Sequence, residues 1–264
     1  MTQPPLDGPL ALAAHSTTDL RDQWVTGTAS AVLFPLGSTE PHGPHLPLAT
    51  DAVLAEENAL RAARALRAAG VFALVAPTLP YGVTDFAAGF TGATTVPQAA
   101  LVALVVSAAS AWLADGAGHV CLINHHLEPG QLGAVQQARA ALIERFGPRA
   151  ASAPQVISRR WGRHLGAEFR SGACHAGRYE TSLVLAARPD WVHPARAAVL
   201  PEVPVSLSAA IAAGQTSFVQ AGADAAYTGR PGDATAAEGE ALFHVLTDMV
   251  KTEVLEALAG DDSP

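Results

Sequence analysis

The fold is decided by residues 31–76, AVLFPL-GSTEPHGPHLPLATD-AVLAEENALRAARALRAAG-VFALVA. A continuously apolar run, Ala31–Leu36, enters a polar loop rich in Gly, Pro and His. From Asp51 to Ala69 the composition turns helical, with Val53, Leu60, Ala63 and Leu66 near one face. Gly70 stops that helix, and Val71–Ala76 is a second apolar run. Strands without polar alternation, separated by helices, belong to a parallel sheet covered on both faces. The same alternation continues outward: helix Pro97–Ala114, strand His119–Asn124, helix Gly130–Phe146 and a strand near Gln155–Ser158. The C-terminal third is less regular, and its clearest element is a helix from about Ala234 to Ala259. No repeat or linker divides the chain, so residues 1–264 read as one α/β domain. The expected architecture is a three-layer α/β/α sandwich with a mainly parallel central sheet.

Composition removes several functions. The 264 residues carry a net charge of −8, only 15% are charged, and 49% are hydrophobic. A disordered chain needs the opposite balance. Sixteen basic residues against 24 acidic ones argue against nucleic acid as a partner. So few charges point to surface buried in an oligomer. Cys121 and Cys174 form no C-x-x-C pattern and no disulfide scaffold. The start, MTQPPLDGPLALAAHS, lacks the basic region of a signal peptide, and VPQAALVALVVSAASAWLA (96–114) reads as a buried helix rather than a membrane span. A cytoplasmic protein is expected.

The chemistry lies in polar loops at the carboxyl ends of strands, where open α/β sheets bind ligands. The first is GSTEPHGPHLPLATD (37–51), and the second is NHHLEPG (124–130). Four of the ten histidines fall in them, together with Glu40, Asp51 and Glu128. Glu40 and His42 are two apart, as are His126 and Glu128, so each pair projects to one side of an extended backbone. Carboxylate and imidazole ligands suit Zn²⁺, Mn²⁺ or Fe²⁺. Two pairs and one further carboxylate are enough for two ions. Helix capping is the competing explanation for Asp51.

These motifs resemble the signatures of the creatininase (creatinine amidohydrolase) family. Glu40, His42 and Asp51 stand at its E-x-H-G…Asp spacing, and NHHLE (124–128) is similar to its second signature. CHAGRYETS (174–182) resembles its H-A-G-x-x-E-T-S element, and PGDATAAEG (231–239) its late segment. The likeness runs over about residues 29–245. It implies a binuclear amidohydrolase, often hexameric, in which a hydroxide bridging two divalent ions attacks a C–N bond. By position, Glu40 and His126 look like ligands of one metal, His42 and Glu128 of the other, and Asp51 the bridge. His175 looks like the catalytic histidine. Glu180, with Thr181 and Ser182, reads as the cap of the following helix.

Departures from the family concern the substrate. His125 replaces the usual Gly, Pro129 an Asn, Leu127 an aromatic, and Cys174 a carboxylate. Creatinine itself is therefore not the expected substrate. Thr84 and Trp161 resemble family positions that contact substrate, with Asp85 and Phe86 as pocket neighbours. Arg159, Arg160, Arg163 and Arg178 either bind an acidic substrate or form a solvated surface. A cysteine nucleophile at Cys174 is redundant beside a hydroxide. The leading expectation is hydrolysis of a small non-peptide amide, lactam or formamide. Two alternatives are a peptide-trimming enzyme of the mycofactocin-maturation type and a catalytically silent metal-binding scaffold.

Overall fold

The computed structural model describes residues 8–260. The start of the chain read for a signal peptide therefore lies partly outside the described residues. Four parallel strands, β1 (Ser30–Leu36), β2 (Phe72–Val75), β3 (Val120–Asn124) and β4 (Ala151–Ser152), form one sheet in the order β2-β1-β3-β4. The helices are α1 (Thr17–Val25), α2 (Thr50–Ala68), α3 (Gln98–Ala114), α4 (Pro129–Phe146), α5 (Arg159–Gly162), α6 (Ala167–Ser171), α7 (Arg178–Ala187), α8 (Pro194–Ala197), α9 (Leu207–Ala212) and α10 (Ala236–Ala259).

Alternate residues of the buried strands feed two cores, one on each face of the sheet. Leu33, Cys121 and Ile123 join Leu54 and Leu66 of α2, Leu183 of α7, and Phe243 and Leu246 of α10. Val32, Phe34, Leu36 and Leu122 face the other way, against Leu101 and Val105 of α3 and Val135 and Leu142 of α4. This is the expected three-layer sandwich. Each fully buried Leu or Phe contributes about 1.5–3 kcal/mol of hydrophobic stabilisation, which favours this two-sided arrangement over one with an exposed sheet face. A third, smaller cluster, centred on Phe86, Leu207 and Phe218, sits apart from the sheet.

Most elements match the sequence reading within two residues; the fourth strand does not. It is Ala151–Ser152, and Gln155–Ser158 is a turn in which the Ser158 N–H donates to the Gln155 carbonyl at 3.0 Å. Pro154 explains the shift, because it has no N–H to give to a sheet ladder. Pro97 likewise stands at the N-cap, before the first turn of α3. Among the described residues no helix is long and apolar enough to cross a membrane.

The strand order fixes where a site can form. From β1 the chain passes through α2 to β2 on one side, and through α3 to β3 on the other. Leu36 and Asn124, the last residues of β1 and β3, pair directly. Their loops therefore open side by side at the point where the winding reverses. Gly37 begins the first loop where a Cβ would stand 2.4 Å from Ala52 N, so its bareness lets the start of α2 close over the strand end.

Candidate metal centre

The two loops bring Glu40, His42, Asp51 and His126 together, all buried. Asp51 lies in the first turn of α2, and no side chain caps that helix. The capping explanation is thus set aside: Asp51 Oδ1 is 3.2 Å from His42 Nε2, and Oδ2 is 3.1 Å from His126 Nδ1. Glu40 Oε1 is 3.0 Å from the same His126 nitrogen.

The backbone fixes which ring nitrogens face inward. His42 Nδ1 donates to the Glu40 carbonyl at 3.1 Å, and His126 Nε2 donates to the Val83 carbonyl at 2.7 Å. A carbonyl only accepts, so these nitrogens carry the protons, leaving His42 Nε2 and His126 Nδ1 as lone-pair donors toward the carboxylates.

The structure places Glu180 beside His42, with Oε2 3.5 Å from Nε2, and groups Glu128 with Glu40 and His126, their ligand atoms within 4.8 Å of one another. Glu128 Oε2 lies 3.8 Å from the outer nitrogen of His126, the one occupied by Val83. The sequence reading of Glu180 as a cap changes. Helix α7 begins at Arg178, and Glu180 accepts from the Ala176 N–H at 2.6 Å while facing His42. Thr181 meets His45 at 2.9 Å, and Ser182 accepts from Thr235 N–H at 3.1 Å. Ala176 takes a positive φ of 49°, a conformation uncommon for a side chain bearing Cβ. That bend lets His175 and Glu180 approach the loops from the same segment.

His175 is buried, donates Nε2–H to the Pro41 carbonyl at 2.9 Å, and turns Nδ1 toward Glu40 Oε1 at 3.8 Å. Phe218 stacks on it, with ring centroids 4.4 Å apart.

Electrostatics follow from the crowding. Burial alone would lower the His42 pKa, yet Asp51, Glu180 and Glu40 outweigh it and raise it to about 10. Asp51 is held well below the carboxylate range by His42 and His126, against the effect of burial. Burial lifts Glu180 to about 8 and Glu128 to about 7. Burial, then His42, pushes His175 down to about 4, so it is neutral. Glu40 Oε2, His42 Nε2 and Asp51 Oδ2 are buried without an aligned hydrogen bond. Such a set of inward-facing carboxylates and imidazoles fits divalent cations, which supply the charge that the group otherwise draws from protonated histidines.

A cavity of about 260 Å³ opens over these residues. Leu127 and Cys174 line it, with Phe86, Phe218 and Ile211 as further apolar wall. Burial raises the Cys174 pKa to about 12, which keeps it a thiol and a poor nucleophile. Three expected substrate contacts lie elsewhere. Thr84 is behind the wall, hydrogen-bonded to Ser38 and 3.5 Å from His126 Nε2. Trp161 donates its indole N–H to Glu253 of α10 at 2.7 Å, which turns it away from the cavity. Arg178 binds Glu238 at 2.5 Å and lines a separate polar depression. Asp85 contributes its backbone N–H to Glu128 at 2.9 Å. Phe218 and Ile211 carried no sequence signal, since Phe218 lies in irregular chain and Ile211 in the short helix α9, and their approach to the site is tertiary.

Comparisons with known proteins identify the family and the fold. The sequence profile of the Creatininase family, described as creatinine amidohydrolase, matches residues 14–254. A mycofactocin precursor peptide peptidase of Mycobacterium tuberculosis (strain CDC 1551 / Oshkosh) is 31% identical over 231 residues, 84% of this chain and 83% of its own. One from Mycolicibacterium smegmatis is 33% identical over 216 residues, 80% and 79% respectively. A solved manganese creatininase superposes with a TM-score of 0.72 at 21% identity, covering 96% of this chain and 100% of its own. Motifs, fold and profile converge: this chain belongs to the creatininase family of metal-dependent hydrolases.

Proposed function

We propose that this protein is a binuclear metal-dependent amidohydrolase that cleaves a peptide-type C–N bond in a short substrate. The observation that carries the metal reading is Asp51, whose two oxygens face two different histidines at 3.2 and 3.1 Å. Glu40, Asp51 and His126 would hold one ion; His42, Asp51 and Glu180 the other. Two such ions supply Lewis-acid polarisation of a carbonyl and an activated water. Zn²⁺ and Mn²⁺ suit these donors, and solved creatininases include a manganese form and one of the Zn–Zn type.

The remaining work falls to the chain. Glu128 is held at the cavity wall by the backbone N–H groups of Asp85 and Phe86, at 2.9 and 3.2 Å. From there its carboxylate takes up the proton of the attacking water. His175, neutral and with Nδ1 unprotonated, accepts the water's second proton at that atom and gives it to the leaving nitrogen, while Glu128 releases the first to the same amine, so that a carboxylate and an ammonium depart. Its Nε2–H bond to Pro41 and its stack on Phe218 hold the ring for that transfer. The apolar walls, Leu127, Phe86 and Phe218, exclude bulk water and receive an apolar side chain.

A peptide amide is favoured over the lactam or formamide first expected, because relatives 31% and 33% identical to this chain are named mycofactocin precursor peptide peptidases. The same reading takes the protein as a homo-oligomer of the cytoplasm. Support for the oligomer is α3, an apolar helix that buries only Leu101, Val105, Ala109 and Ser110 and leaves Leu104 exposed. The test combines metal analysis of protein purified without chelators with a Zn²⁺- and Mn²⁺-supplemented screen of short peptides, lactams and formamides. Two ions per chain and peptide cleavage are expected. One ion or none would overturn the binuclear site, and turnover of lactams alone would overturn the peptide substrate.

A further inference from the structure

A groove of about 580 Å³ adjoins the metal cavity and shares Ile157, Cys174 and Ser208 with it. Its other walls include Arg159, Arg163 and Arg170, and among the described residues no Asp or Glu lines it. In a chain of net charge −8 this is an unusual concentration of uncompensated positive charge. The neighbouring arginines show the contrast. Arg160 is paired with Glu256 at 2.6 Å and Arg178 with Glu238 at 2.5 Å. The guanidinium groups of Arg159 and Arg170 have no ion pair or hydrogen bond among the described residues, and that of Arg163 is engaged only through Nε, to His164 at 3.0 Å. Beside the guanidinium groups, Ile157 is 50% exposed, an apolar surface at the mouth between groove and cavity.

We infer that this arginine groove is a subsite for the carboxylate of the substrate, most directly the free C-terminal carboxylate of a short peptide whose scissile amide lies in the adjoining metal cavity. The chemistry is that of a guanidinium fork on a carboxylate, with charge-assisted bonds at each oxygen. Ile157 and Phe169 receive the apolar part of the residue that bears it. An acidic side chain near the peptide end presents the same group and is the second source of the same ligand chemistry. The inference rests on the peptide reading above for the position of the scissile bond, but not for the charge recognition itself.

The test uses the metal-loaded protein and three dansyl-labelled peptides: Ala-Val-Phe as the free acid, Ala-Val-Phe carboxamide, and Ala-Val-Glu carboxamide. Binding is followed by fluorescence anisotropy, with peptide integrity checked by mass spectrometry; any peptide that is cleaved is compared by KM and kcat instead. The free acid should bind about tenfold or more tightly than its carboxamide, or show a KM lower by that factor at similar kcat. The preference should shrink at 0.5 M salt and vanish in the Arg159→Ala/Arg170→Ala variant. Recovery of affinity in Ala-Val-Glu carboxamide alone would assign the subsite to a side-chain carboxylate. Equal behaviour of all three peptides on the wild-type protein would overturn the inference whether or not the variant folds, as would a preference retained in the variant. Cleavage without acid preference would leave the peptide reading standing and remove the subsite. Acid preference without cleavage would do the reverse.

Discussion

Asp51 is the residue on which the proposed centre turns, because its two oxygens each meet a different inward-facing imidazole, at 3.2 and 3.1 Å. Replacing it by Asn keeps its shape but substitutes an N–H donor for one anionic oxygen. Asp51→Asn should therefore lose metal, measured by elemental analysis, while circular dichroism shows the native fold; unchanged metal content would remove the bridge. His175 has a different task. Its ring is held by Pro41 and Phe218 and reaches Glu40 Oε1 only at 3.8 Å. His175→Ala should keep its metals and lose about 10²–10⁴-fold in kcat, the usual worth of a positioned acid–base group. Full turnover in that variant would take His175 out of the mechanism. Glu40, His42, Asp51, His126 and His175 were legible in the sequence because each sits in a short motif whose spacing survives folding. The partnership of His42 with Glu180 was not. It depends on the bend at Ala176 and the docking of α7, which no local spacing encodes.

At the scale of elements, the site depends on how α7 and α10 cross. Gly239 allows that crossing: a Cβ there would stand 1.9 Å from the Ser182 carbonyl oxygen, two residues from Glu180. Gly239→Ala should destabilise the protein by about 1–3 kcal/mol through overpacking, read as a lowered denaturation midpoint. It should also weaken metal retention, because the displaced helix carries Glu180. The junction of β3 and β4 provides a second test. His119 Nδ1 donates to the Arg149 carbonyl at 2.7 Å, and Nε2 accepts from the Ser152 hydroxyl at 2.8 Å. Burial lowers its pKa from 6.5 to about 4. The folded pKa is below the unfolded one, so the stabilisation is complete above pH 6.5 and is lost as pH falls from 6.5 toward 4. The linkage amounts to about 3 kcal/mol. Chemical denaturation at several pH values should show His119→Gln losing less stability than wild type over that interval. Strands and long helices were readable because burial on both faces writes itself as uninterrupted apolar runs. The two-residue β4 was missed because an edge strand that short leaves no pattern.

For the whole molecule, two divalent cations would halve the formal charge of −8 and relieve a cluster of buried acids. Ions that bind only the folded state stabilise it by mass action, by about 2.7 kcal/mol at a hundredfold excess over Kd. Dialysis against a chelator should lower Tm by roughly 5–10 °C, and added Zn²⁺ or Mn²⁺ should restore it. A Tm indifferent to chelation would contradict an ion held in the core. Much of the apolar fraction goes to the cores on the two faces of the sheet. The short helix α9, with Leu207 and Ile211, and the irregular chain at Phe218 close the cavity instead, and no long periodicity announces such a role.

The order in which the chain is made gives the divided ligand set one more consequence. Glu40, His42, Asp51 and His126 all precede residue 127, whereas Glu180 follows more than fifty residues later and reaches the others only when α7 docks. A nascent chain thus exposes a half-cage of four donors, open on the side that Glu180 later closes. Capture of the proposed second ion, the one that Glu180 would help to hold, would then be one of the last events of maturation, and its presence would report that the C-terminal helices are already in place.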